Sequence, residues 1–135
     1  MATVFVKGQM NTSAEKLWDA LKGFDLNYFR GFTHTVEGSG VGATRKFDMG
    51  KGEVAEQIEQ YDPVNRMLMY TVLYGPLPVQ DYHATIKVLP SSENVCELEW
   101  SAVFEPKDAT EAEAKEVMEG TFKMNIKALN KFFAQ

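Results

Sequence analysis

Between Thr33 and Phe104 apolar and polar residues alternate with period two, and clusters of turn-forming residues interrupt the alternation. The breaks are Gly38-Ser39-Gly40-Val41-Gly42, Gly50-Lys51-Gly52, Asp62-Pro63-Val64-Asn65, Gly75-Pro76 and Pro90-Ser91-Ser92-Glu93-Asn94. That pattern predicts about six antiparallel strands on short connections, with one apolar face that something must cover. Only one segment is long enough to do so. After Pro106, the residues Met118, Phe122, Ile126, Leu129 and Phe133 recur at helical spacing and make one apolar stripe, along about six turns of helix. Asp108-Ala109-Thr110-Glu111 opens this helix with the acidic residues that a helix dipole favours. Gly120 in its middle costs about 1 kcal/mol relative to Ala and marks a bend or a close approach.

Ahead of the strand run, Thr3 to Gln9 reads as a first strand with Val4 and Val6 on one side. Thr12 and Glu15 have the spacing of a capping box, so a helix is expected next. Leu17, Trp18 and Leu21 form its buried stripe, with Trp18 as a core anchor, and Gly23 ends it. Asp25 to Phe29 can form one more short helical turn. The expected architecture is α+β: a curved seven-stranded antiparallel sheet wrapped around the long C-terminal helix, with two short helices after the first strand. A helix gripped by a curved sheet leaves space near its middle, where small molecules bind.

With 135 residues, 44% of them hydrophobic, the chain suits a single domain over residues 1–135. Its 14 Lys and Arg are outnumbered by 19 Asp and Glu and are scattered, which argues against nucleic acid as a partner. Cys96 stands alone in an apolar strand and suits the core. His34 and His83 lack metal-ligand spacing, so no metal site is expected. No window is long and apolar enough for a membrane span, and the N-terminus lacks signal-peptide character, so a cytoplasmic protein is expected. The pattern leaves monomer and dimer equally open.

Strand parity indicates where the polar groups point. Val54, Glu56, Ile58 and Gln60 share the inner face of one strand. Tyr70 and Tyr82 face inward on the two that follow, and Phe47 shares a face with Arg45 on the strand before. Arg45 and Glu56 therefore meet inside on neighbouring strands, where a guanidinium suits a bidentate contact with a carboxylate. Ionised groups out of water cost several kcal/mol unless paired, so the pair either merely tolerates its position or serves a site. On the last strand, parity favours burying Cys96, Leu98, Trp100 and Ala102 over Glu97, Glu99, Ser101 and Val103. His83 alternates outward.

The stretches Ser13-Ala14-Glu15-Lys16-Leu17-Trp18, Glu56-Gln57-Ile58-Glu59-Gln60-Tyr61-Asp62, Tyr70-Thr71-Val72, Gly75-Pro76-Leu77-Pro78-Val79, Tyr82-His83-Ala84-Thr85-Ile86-Lys87-Val88 and Cys96-Glu97-Leu98-Glu99-Trp100-Ser101, in that order, resemble the polyketide cyclase/dehydrase branch of the START-like (SRPBCC) superfamily. Within it the chain is most similar to relatives of lachrymatory-factor synthase and, more distantly, to the abscisic-acid receptors. The resemblance implies the helix-grip (START-like) fold and an internal cavity for a small hydrophobic or amphipathic ligand. It implies no cofactor. It matches Arg45 and Glu56 to the synthase's catalytic arginine and glutamate, and Tyr70 and Tyr82 to its pocket tyrosines. The receptors' ligand-binding glutamates match Glu56 and Glu99, which sets Glu99 toward the cavity against its parity. The receptor gate and latch sequences are missing.

The candidate site is thus Arg45 and Glu56 for chemistry, with Tyr70, Tyr82, Glu99, Phe47, Phe122 and Ile126 around a ligand. An isomerisation, dehydration or cyclisation by proton transfer fits these residue types. The alternative is a carrier or sensor that releases its ligand unchanged. A third reading, an interaction module without a closed cavity, fits the fold as well.

Overall fold

The computed structural model describes residues 1–134. The elements run β1 (Ala2–Met10), α1 (Ala14–Leu21), β2 (His34–Glu37), β3 (Thr44–Asp48), β4 (Glu53–Asp62), β5 (Met67–Tyr74), β6 (Val79–Ser92), β7 (Val95–Pro106) and α2 (Glu111–Phe133). All strands join one antiparallel sheet in the order β1-β7-β6-β5-β4-β3-β2. The six strands of the period-two region pair with their sequence neighbours, and β1 closes the far edge by pairing with β7. Register shifts interrupt the β4–β5 and β6–β7 ladders at Ala55/Glu56, Ile58/Gln60, Gln80/His83 and Pro90/Ser92. Each extra residue bends its strand, which lets the sheet curve around a helix.

Long α2 begins with a capping box: Thr110 Oγ1 accepts the Glu113 N–H at 3.1 Å and Glu113 Oε1 accepts the Thr110 N–H at 3.0 Å. Its stripe of Ala114, Met118, Phe122, Ile126 and Leu129 is buried against the concave sheet. Gly8 allows the close approach to β1, because a Cβ there would lie only 2.7 Å from Ile126 Cγ2. Gly120 is exposed, and a Cβ at that position would meet open space, so no close approach explains it.

Short α1 buries Leu17, Trp18 and Leu21 as its spacing predicts. Its cap differs from the expected Thr12–Glu15 box. Thr12 is buried, and Ser13 Oγ accepts the Lys16 N–H at 3.2 Å. The second short helix does not form either. Phe24 takes a left-handed φ of 62°. The Asn27 N–H goes to the Asp25 carboxylate and the Leu26 N–H to His34 Nε2, each at 3.0 Å. What remains is one turn, closed by the Phe29 N–H on the Leu26 carbonyl.

Parity fails at one point in β4. The shift at Ile58/Gln60 turns Gln60 to solvent and brings Tyr61 round to pack on Trp18, with ring centroids 5.7 Å apart. Among the described residues no helix is long and apolar enough to cross a membrane, and no group of His, Cys, Asp and Glu gathers as a metal site.

Candidate functional site

The hairpin through Gly50-Lys51-Gly52 sets Arg45 directly opposite Glu56 in the β3–β4 register, both on the concave face. Their side chains are 5% and 6% exposed, so the pair lies out of water. One hydrogen bond, Arg45 Nε to Glu56 Oε1 at 2.7 Å, carries the contact where a two-bond fork was expected. Another nitrogen, Nη1, reaches the Phe24 carbonyl at 3.4 Å, and the guanidinium carbon lies 4.0 Å from the Phe24 ring centroid and 5.2 Å from that of Tyr70. Burial is the largest influence and opposes the charge on Arg45, but the Glu56 carboxylate, Tyr28, Tyr70 and the Glu56 hydrogen bond together hold the guanidinium above its ordinary range.

Beside the pair, Trp100 Nε1 donates to the Tyr70 hydroxyl at 2.9 Å, and the Tyr82 ring packs on that of Tyr70 with centroids 6.1 Å apart. Indole nitrogen can only donate, so the Tyr70 hydroxyl accepts from Trp100 and keeps its own proton to give. Burial raises both phenols well above their usual range, so both stay protonated. Burial likewise pushes Tyr28, behind the pair, up to about 12; its hydroxyl is the one buried side-chain polar atom among the described residues that lacks a partner.

These groups meet a cavity of about 300 Å³, at the small end of ligand-site volumes. The sheet contributes Arg45, Phe47, Glu56, Tyr70 and Tyr82; α2 contributes Met118, Thr121, Phe122 and Asn125; Leu26, Phe29 and Phe32 come from the segment after α1. His34 ties that segment down. Its Nε2 accepts the Leu26 N–H, so Nδ1 carries the ring proton and donates to the Phe32 carbonyl at 3.0 Å. Phe122 stacks on Trp100 at 5.7 Å and forms part of the floor.

Six of the eight candidate residues therefore line one cavity, and two do not. Glu99 lies on the outer face, opposite Lys7 and Lys87 in register, because period two turns its neighbours Leu98 and Trp100 fully inward. Strand parity is right there, and the placement implied by the receptor resemblance is wrong. Ile126 is spent on the contact with Gly8. Phe24 and Asn125 were missed. Nothing in the sequence marks a left-handed Phe24, but Asn125 stands three residues after Phe122 and four before Leu129, a polar residue within the apolar stripe.

A curved antiparallel sheet around one long helix, with a cavity between them, defines a helix-grip protein with an internal site of small-molecule size. The family described as "Polyketide cyclase / dehydrase and lipid transport" matches residues 1–133, and the chain belongs to that family. Similar solved structures include an uncharacterised protein from Bacillus thuringiensis (26% identity, 99% of this chain and 100% of the other, TM-score 0.86). XoxI from Bacillus cereus is similar too (27% identity, 100% and 97%, TM-score 0.85). Norcoclaurine synthase from Thalictrum flavum, solved with dopamine and hydroxybenzaldehyde, shares the fold at 20% identity over 98% and 86%, with a TM-score of 0.75. No curated protein matches the chain.

Proposed function

We propose that this protein binds a small, partly hydrophobic molecule in the cavity and moves a proton on it, with Glu56 as the proton carrier and Arg45 steadying developing negative charge. The observation that carries this reading is the composition of the pocket: one buried ion pair and two protonated phenols in walls whose other polar residues are Thr121 and Asn125. In such a site the Glu56 carboxylate takes a proton from carbon next to a carbonyl; the C–H electron pair becomes a carbon–carbon double bond, and the carbonyl π pair moves onto the oxygen. That oxyanion is met by the Tyr70 hydroxyl, which Trp100 holds in place, and by Arg45, both preorganised away from water. Returning the proton to another carbon completes an isomerisation; delivering it to a departing hydroxyl releases water and completes a dehydration. Neither step calls for a cofactor.

Glu56→Gln keeps the shape and removes the base. With the molecule recovered from the protein as substrate, turnover should fall by about 10²–10⁴-fold, while binding stays within a few fold. Equal losses of binding for Glu56→Gln and Arg45→Ala, with no turnover by the wild type, would show a carrier and overturn the catalytic reading.

A further inference from the structure

We infer that Asn125 reads a second oxygen on the ligand, and that the ligand is an uncharged molecule with oxygen functions at two ends. This rests on the reading of the cavity as a small-molecule site and adds a substrate class to it. Asn125 is only 9% exposed, yet it lines the cavity and no hydrogen bond among the described residues reaches its amide. Its amide atoms are open to the cavity rather than sealed from it, so they are free to meet a ligand there. The other polar side chain on the α2 wall, Thr121, spends its proton on the Val117 carbonyl at 2.9 Å. Asn125 is thus the group on the helix side with unspent donors and acceptor, facing a sheet side that already holds Arg45, Glu56 and the phenols. An amide that both gives and takes a hydrogen bond suits a hydroxyl, which does the same.

The absence of charge follows from the lining. Arg45 and Glu56 neutralise each other, the phenols are protonated, and every other lining residue is uncharged. A carboxylate or ammonium on the ligand would be a buried charge without a counterion.

Three probes of one shape separate the possibilities: 4-(hydroxymethyl)benzaldehyde, 4-methylbenzaldehyde and 4-formylbenzoate, titrated into wild type and Asn125→Leu with the tryptophan fluorescence as signal. Wild type should prefer the hydroxymethyl compound over the methyl compound by about tenfold and should bind the carboxylate at least 100-fold more weakly. Asn125→Leu should lose the hydroxyl preference and keep the methyl compound. A hydroxyl preference that survives Asn125→Leu, a methyl compound that wild type binds equally well, or tight binding of the carboxylate would each overturn the inference. If no probe binds either protein, the cavity reading itself fails and takes this inference with it.

Discussion

Glu56→Leu is expected to destabilise the protein by about 3–5 kcal/mol, whereas the double variant Arg45→Met/Glu56→Leu should fall within about 1 kcal/mol of wild type or exceed it. The single change leaves a guanidinium out of water with no counterion, and the Phe24 carbonyl at 3.4 Å is a poor substitute for a carboxylate at 2.7 Å. The double change removes both desolvation costs, and a flexible Met side chain still packs between the rings of Phe24 and Tyr70. Urea denaturation of wild type, both singles and the double closes the thermodynamic cycle. A cost below 1 kcal/mol for Glu56→Leu would mean that the pair reaches water in solution. A stable double variant would show that the ion pair is dispensable for folding, the outcome expected of residues retained for what the cavity does.

Trp100→Ala should also cost about 3–5 kcal/mol, by a different route. Trp100 is fully buried and couples the sheet to α2 through its stack on Phe122, so truncation leaves a void that neither element can close. Trp100→Phe keeps much of the stack and removes only the N–H that meets Tyr70 at 2.9 Å, so about 1–2 kcal/mol is expected. Chemical denaturation of both variants separates packing from hydrogen bonding. Equal costs would contradict that division.

The central strands were legible because one face of each is buried, so a one-residue error would have turned Glu56 or Tyr70 to solvent. The Arg45–Glu56 contact followed from parity together with the tight turn at Gly50-Lys51-Gly52. Parity broke where the ladder did: the shift at Ile58/Gln60 leaves no compositional trace, and Gln60 came out with it. The segment after α1 stops at one turn, entered through a left-handed Phe24 and tied by its Leu26 N–H to the ring of His34. His34 lies eight residues beyond its partner, outside any helical window. Along α2 the stripe was clear, but a period does not say which of its members meet the sheet and which meet space. Ile126 reaches Gly8, while Asn125 beside it lines the cavity.

The cavity as a ligand site is tested most directly by native mass spectrometry of the protein purified from its own host, alongside a Met118→Trp variant that fills the space next to Phe122. The account predicts one small uncharged molecule on the wild type, compact enough for about 300 Å³, and none on the filled variant. The same molecule retained by both proteins, or a wild type that carries nothing and takes up none of the three aldehydes, would contradict it.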